Sequence, residues 1–152
     1  MEPGTAVRFE KGAVYTRAQI HETLGGSRRA ALPTRGGRVV CACLTREKNP
    51  RAPEEIVIGA GARAVESARE LAASGAAVPV FVRARRAGWE YAGRRRVRAL
   101  VEEHGALLAL IAEGAPLDAT LALLLEECAA APVVAPAAGM LACAASAPAT
   151  GA

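Results

Sequence analysis

The residues whose types suit contacts to anions or nucleic acids lie in two stretches. The first, YTRAQIHETLGGSRR at 15–29, holds one of the two histidines, a glycine pair and three arginines. A glycine turn leaves backbone N–H groups open to a phosphate. The second, RARRAGWEYAGRRRVR at 83–98, holds seven arginines around Trp89 and Tyr91. Arginine pairs with phosphates and aromatic rings stack on unpaired bases. In the structural alternative, both rings face the core of a solvated arginine-rich strand.

The first stretch also has the features of a well-capped helix. Thr16 and Gln19 match a capping box, and Gly25 suits a helix end, so the pattern predicts a helix of about eight residues. Arg17 and His21 then lie along the edge of its apolar stripe, at the rim of whatever the helix packs on. The alternative is that His21 is a hydrogen-bonded histidine of the core.

A third motif, IVIGAGARAVESA at 56–68, matches the dinucleotide fingerprint through Gly59, Gly61 and Ala64. The unit lacks the acidic residue usual at the end of the next strand, and no further βα units follow. We interpret it chiefly as a tight strand–helix turn. A nucleotide-binding enzyme that uses the Gly59–Ala64 turn remains an alternative.

Two cysteines are candidates for metal binding or thiol chemistry. Cys41 and Cys43 are two apart in a predicted strand and therefore face one side, which is typical of core thiols. A metal would need two further ligands that the sequence does not place nearby, so we expect no metal site and no cofactor. A nucleophile pair with His21 has no local support. We assign no catalytic residue and favour a binding protein over an enzyme.

Charge is unevenly distributed along the 152 residues. Residues 1–104 carry all 19 Lys and Arg against 11 acids, whereas residues 105–152 carry four acids and no base. We expect no stretch to form a membrane span, which needs roughly 18 consecutive apolar residues. The four cysteines show no disulfide-rich pattern. We therefore expect a cytoplasmic protein with a basic body and no membrane contact.

Periodicity and turn signals predict an α+β chain with an Ala/Leu-rich helical region at its end. The predicted strands are 37–44, 56–59, 78–83 and an antiparallel hairpin at 88–92 and 94–98. The predicted helices after the first are 62–74, 99–112 and 117–130. Residues 132–152 are rich in Ala, Pro, Gly and Ser and are predicted to be a flexible low-complexity tail.

Several pieces of the sequence, in their order, resemble a known family. They are F-x-x-G-x-x-Y-T-R-x-x-I-H-x-x-L-G-G-S at 9–27, LP at 32–33, GRVV at 37–40, NPRAP at 49–53, VPVFVR at 78–83 and W-x-Y-x-G at 89–93. Together they resemble an uncharacterised family related to the SRA-like domain of McrA-type HNH restriction endonucleases. In that domain a similar opening motif leads into a PUA/SRA-like β-barrel. The sequence lacks an HNH histidine–asparagine–histidine set, so the resemblance does not extend to the nuclease part.

The resemblance covers about residues 9–100 and implies a small, partly open PUA/SRA-like β-barrel with packed helices over 1–100. The sequence pattern adds an Ala-rich helical extension over 101–131 and the tail over 132–152. It implies a non-enzymatic nucleic-acid-binding module that reads modified or distorted DNA, with DNA favoured over RNA and a nuclease as the kind of protein partner to expect. The alternative from another class is an interaction module that docks a partner through the helical extension. The residues predicted to contact nucleic acid are Tyr15, Arg17, His21, Gly25, Gly26, Ser27, Arg28, Trp89, Tyr91, Arg94 and Arg96.

Overall fold

The computed structural model describes residues 9–84 and 88–128. Its strands are β1 (Val14–Tyr15), β2 (Thr34–Arg35), β3 (Arg38–Val39), β4 (Ala42–Leu44), β5 (Glu55–Ile58), β6 (Val78–Arg83), β7 (Trp89–Val101) and β8 (Leu121–Glu127). Its helices are α1 (Arg17–Leu24), α2 (Ala62–Ser74) and α3 (His104–Ala112). The predicted tail at 132–152, and Arg85 and Arg86 of the second stretch, lie outside the described residues.

One mixed sheet organises these elements. Its strand order is β4-β6-β7-β8-β5, and β1 pairs with the start of β7. β4 runs parallel to β6, whereas the other pairs are antiparallel. β2 and β3 form a separate small hairpin, so the strand predicted at 37–44 is divided between two sheets. β5 pairs with β8 and is not next to β6, so the parallel βαβ arrangement of a dinucleotide site is not formed.

β7 is one long strand where the sequence predicts a hairpin. Trp89–Val101 runs for 13 residues and pairs first with β6 and then with β8. Gly93, which lies between the two strands predicted for the hairpin, is instead within β7 and has φ of +95°. The register shifts once against each neighbouring strand. Because such bulges bend and twist a strand, they help to curl the sheet into a half-barrel.

β8 replaces the helix predicted at 117–130. Leu121 and Leu123 of this strand pack in the main core, whereas Ala122 packs in a second cluster with Leu107 of α3. Because both faces of the strand are buried, apolar residues do not alternate with polar ones, and the run resembles a buried helix in composition. The prediction was wrong for this reason.

The region 101–131, predicted as a helical extension, therefore contributes a helix and a sheet strand. The helix predicted at 99–112 is confirmed over its last nine residues as α3. Glu103 caps it by accepting hydrogen bonds from the backbone N–H groups of Gly105 and Ala106. The residues before the cap extend β7 instead.

The sequence predicts the other helices well. α1 has eight residues, and both hydrogen bonds of the Thr16–Gln19 capping box are formed. α2 spans the predicted residues and ends at Gly75 in the left-handed conformation. Leu71 of α2 packs with Val80 of β6 in the main core, while the adjacent Phe81 joins an aromatic cluster on the other face. The fold is thus α+β, with a curled half-barrel sheet between helices, as predicted.

Candidate nucleic-acid interface

A basic segment, residues 25–38, follows α1; it includes β2 and the first residue of β3 and is here called the basic loop. Its exposed arginines are Arg28, Arg29, Arg35 and Arg38. Within residues 9–84 and 88–128 none of the four forms an ion pair. Two backbone hydrogen bonds, from Val40 to Pro33 and from Cys43 to Ala31, tie the loop to the sheet. The loop therefore presents four guanidinium groups from an anchored backbone, which suits phosphates.

The glycines of the first stretch shape this loop. Gly25 and Gly26 have φ of +82° and +86°, which side chains rarely adopt. A Cβ on Gly25 would lie 2.8 Å from Cδ of Arg35, so a side chain at this position would displace the arginine. Ser27 is exposed, and its Oγ accepts a hydrogen bond from the backbone N–H of Arg29 at 3.1 Å. The predicted contact residues Gly25, Gly26 and Ser27 thus set the course of the arginine-bearing backbone.

Arg17 of α1 holds the basic loop through hydrogen bonds to its backbone. Its guanidinium donates to the backbone oxygens of Ser27 and Ala30 at 3.2 and 2.9 Å, and its Nε donates to Nε2 of His21 at 2.9 Å. The guanidinium carbon also lies 4.9 Å from the centre of the Trp89 ring, within cation–π range. Two of the guanidinium nitrogens, Nε and NH2, are therefore engaged inside the protein. A contact of Arg17 with nucleic acid stays a prediction.

His21 is part of the same hydrogen-bond network and is only 8% exposed. Since Nε2 accepts from Arg17, Nδ1 carries the proton and donates to the backbone oxygen of Gly25, 2.8 Å away. Burial lowers the pKa of His21 from its ordinary value, opposed by the Gly25 hydrogen bond and reinforced by the charges of Arg17 and Arg28. The structure therefore favours the core-histidine alternative over a pocket-facing histidine.

The predicted aromatic contacts also lie inside. Trp89 and Tyr91 are 6% and 8% exposed and pack with Phe81. Tyr15 is half-buried in the same cluster, and its hydroxyl accepts a hydrogen bond from the backbone N–H of Glu10 at 2.8 Å. Stacking on a base requires an open ring face. The burial of Trp89 and Tyr91 agrees with the alternative in which both rings face the core, and a contact of either ring with nucleic acid stays a prediction.

The arginine run of β7 is partly neutralised by the strand beside it. Nε of Arg96 lies 2.5 Å from a carboxylate oxygen of Glu126. The buried Arg95 has its NH2 group 3.8 Å from Glu127. Arg94 and Arg98 are exposed, and Arg94 donates to the backbone oxygen of Ala77 at 3.1 Å. Of the two predicted contacts in this run, Arg94 stays open to solvent and Arg96 is ion-paired.

A cavity of about 360 Å³ adjoins this strand. The charged side chains among its lining residues are Lys11, Arg46, Glu90 and Arg95. None of these four residues is among those predicted to contact nucleic acid. They come from three separate segments, and only the strand bulge at Gly93 puts Arg95 on the same face as Glu90. A glycine inside an otherwise regular strand pattern was the available signal.

A side-chain carboxylate lies at the Gly59–Ala64 turn, where the dinucleotide motif would place a phosphate. The backbone N–H of Ala60 donates to a carboxylate oxygen of Asp118 at 3.1 Å. A Cβ on Gly59 would lie 2.8 Å from the same carboxylate oxygen, Oδ2 of Asp118. A phosphate at this turn would meet a carboxylate already in place. The geometry thus supports the tight-turn interpretation over the nucleotide site.

Cys41 and Cys43 are buried free thiols, in agreement with the prediction. The hydrogen bond with Cys43, together with burial, raises the pKa of Cys41 above its usual range, so it remains an unreactive thiol. In the part of the chain that the structure describes, no three His, Cys, Asp or Glu side chains are grouped to hold a metal. The described helices include none that is both long and apolar enough to cross a membrane.

The curled half-barrel and its packed helices define an SRA-like class of fold. Among solved structures, the chain is similar to the SRA domain of SUVH5, determined in complex with hemimethylated CG DNA. The TM-score is 0.53 and the sequence identity 11%, over 90% of this chain and 100% of that chain. No family model and no curated protein sequence matches the chain. At this identity the likeness establishes the fold.

Proposed function

We propose that this chain is a non-enzymatic DNA-binding module that reads a modified or distorted site. The observation that carries the proposal is the basic loop, which presents four exposed arginines without ion-pair partners from an SRA-like fold. The SRA domain it resembles was determined on hemimethylated DNA. An SRA-like fold with an open basic loop is well suited to the same class of ligand.

The loop supplies affinity rather than sequence information. Arginine–phosphate contacts release counterions from DNA and depend steeply on salt. They position a protein on the duplex, while discrimination comes from contacts to bases or from the ease of deforming the site. Because the backbone of the loop is anchored by Arg17 and by the sheet, little ordering entropy opposes binding.

Binding without catalysis fits the state of the groups that could do chemistry. The imidazole of His21 is buried and hydrogen-bonded on both nitrogens. The thiols of Cys41 and Cys43 are both buried. The motif resemblance to McrA-type endonucleases supports a role in recognising modified DNA, with any cleavage supplied by a separate nuclease partner.

The test is a binding panel on DNA duplexes of one sequence, measured by fluorescence anisotropy. The duplexes are unmodified, methylated at cytosine on one or both strands, or mismatched, and an RNA duplex serves as the matched control. We expect the affinity for every DNA duplex to decrease as the salt concentration rises from about 50 to about 200 mM. One modified or mismatched duplex should bind about 5-fold to 100-fold more tightly than the plain one.

Two results would count against the proposal. DNA binding that does not respond to salt, or no binding at all, would remove the role of the basic loop. Equal affinity for every DNA duplex would remove the recognition of modified or distorted sites and leave general DNA binding.

A further inference from the structure

The cavity beside β7, here called the Arg95 pocket, holds an unusual buried charge. Arg95 lines it and is 91% buried, since its residue exposure is 9%. Within the described residues, the Nε–H of Arg95 has no hydrogen-bond acceptor. A buried donor without a partner is costly, and more so when the group is charged. Buried polar groups in native proteins are mostly hydrogen-bonded, so an orphaned donor in a residue that lines a cavity points to an acceptor inside that cavity.

The nearby carboxylate does not satisfy Arg95. Glu127 lies 3.8 Å from the NH2 group of Arg95, beyond hydrogen-bond distance. The same carboxylate is held by Lys11 at 2.6 Å. Arg46, which is exposed, adds a third cation to the lining, against which the lining supplies only Glu90. Three cations therefore share two carboxylates, and positive charge remains at the pocket.

The remaining lining tells the size and shape of what fits. Pro53, Val82 and Ala92 give the pocket an apolar side next to its charged groups. A cavity of about 360 Å³ is larger than an isolated anion needs and lies in the range of small-molecule sites, about 300–1,000 Å³. The ligand that matches both halves has an oxyanion for the guanidinium groups and a flat body for the apolar side.

We propose that the Arg95 pocket binds one nucleotide, with its phosphate held by Arg95, Arg46 and Lys11. Phosphate oxygens accept charge-assisted hydrogen bonds from arginine, often two in parallel, and these are about twice as strong as neutral hydrogen bonds. The base then lies against Pro53 and Val82. This inference deepens the proposed function. The choice of a DNA strand as the source of the nucleotide rests on that function. A free mononucleotide carries the same chemistry.

The experiment uses the full chain and titrates deoxycytidine monophosphate, deoxycytidine and inorganic phosphate at constant ionic strength, read by calorimetry and by thermal shift. The monophosphate should bind and raise Tm as its concentration rises. The nucleoside should do neither, because it lacks the oxyanion. Inorganic phosphate should bind more weakly than the monophosphate, because it leaves the apolar side empty.

The matched variants are Arg46→Ala and Lys48→Ala, which remove one exposed charge each from the same connection. Only Arg46 lines the pocket. Arg46→Ala should weaken monophosphate binding by about 10-fold to 100-fold, and Lys48→Ala should leave it unchanged. Arg95→Met should abolish binding without lowering the Tm of the free protein, because it removes an unsatisfied buried charge.

The outcomes separate this inference from DNA binding by the basic loop. Equal effects of Arg46→Ala and Lys48→Ala, or no monophosphate binding while salt-dependent DNA binding persists, would overturn the pocket and leave the proposed function standing. Monophosphate binding without DNA binding would support the pocket and overturn the proposed function. Where both bind, displacement of DNA by the monophosphate identifies the strand as the source, and simultaneous binding identifies the free nucleotide.

Discussion

The basic loop and strand β7 both carry a run of arginines, but they treat the charge differently. The loop holds four exposed arginines that have no ion-pair partner in the described ranges. In β7, Arg95 and Arg96 face Glu127 and Glu126 of the neighbouring strand. The run that is denser in the sequence is therefore the more neutralised in the fold.

This difference teaches that charge density along a chain does not measure the charge that a partner meets. Pairing between β7 and β8 brings acids and arginines together that are about 30 residues apart in sequence. The loop escapes neutralisation because the residues between positions 22 and 47 contain no acid. Arg17 and His21 anchor it from inside and leave its own arginines free for solvent.

The largest effect should come from removing that anchor. Arg17→Met breaks hydrogen bonds to Ser27, Ala30 and His21 and leaves a buried nitrogen of His21 unsatisfied. We expect the free energy of unfolding to fall by about 3 kcal/mol, since charged hydrogen bonds contribute about 1.5–3 kcal/mol each. Urea denaturation followed by fluorescence measures it.

The matched control is Arg28→Met, which removes an exposed arginine of the loop. It should change stability by less than about 0.5 kcal/mol. A smaller loss for Arg17→Met than for Arg28→Met would show that Arg17 does not hold the loop.

A second effect should come from the glycine that lets β8 neutralise β7. Gly93 has φ of +95°, and a Cβ there would lie 3.0 Å from a carboxylate oxygen of Glu127. Gly93→Ala should cost about 1–3 kcal/mol, chiefly through the backbone conformation, because the end of the glutamate can move. Chemical denaturation again gives the value.

Gly61→Ala serves as the comparison, because Gly61 has φ of −62° and no atom near its would-be Cβ. It should change stability by less than about 0.5 kcal/mol. Equal costs for the two variants would mean that the conformation of Gly93 is not required.

A smaller effect should appear on acidification. The pKa of His21 is lowered in the folded protein, so the unfolded chain takes up this proton first as the pH falls below about 6.5. Stability should therefore decline from about pH 6.5 down to the lowered pKa of the folded state and level off for this group below it. Protonation also ends the acceptance of the Arg17 hydrogen bond.

Denaturation of the wild type and of His21→Gln at pH 7.5 and at acidic pH checks this assignment. The variant is less stable at neutral pH, but it should lose less stability on acidification. An identical pH dependence of the two proteins would show that His21 does not carry this coupling.

Local signals in the sequence predicted α1, α2 and β6, because caps, glycine stops and β-branched residues act over a few positions. They failed for β8, whose two buried faces remove the alternation that marks a strand. They also failed for β7, where Gly93 has the composition of a turn and the conformation of a bulge. In both cases the neighbouring strands decide the structure.

The candidate site was predicted in part for a similar reason. The glycine turn and Arg28 were found because a loop is a local feature of the chain. The inward roles of Arg17, His21 and Trp89 depend on contacts with distant segments. The charged residues of the Arg95 pocket come from three segments, and a strand bulge helps to bring them together, so spacing along the chain could not reveal the pocket.

The assignment of the basic loop as the DNA-binding surface is tested most directly by identifying the arginines that contact DNA. The salt dependence of binding to one duplex should be measured for two double variants. One combines Arg28→Ala and Arg29→Ala in the basic loop, and the other combines Arg94→Ala and Arg96→Ala in β7. The slope of log K against log salt should flatten by about 1.8 for the loop pair, about 0.9 for each lost phosphate contact. The β7 pair should flatten it by no more than half of that, because Arg96 is ion-paired. A larger change for the β7 pair, or an unchanged slope for the loop pair, would contradict the assignment of the basic loop as the DNA-binding surface.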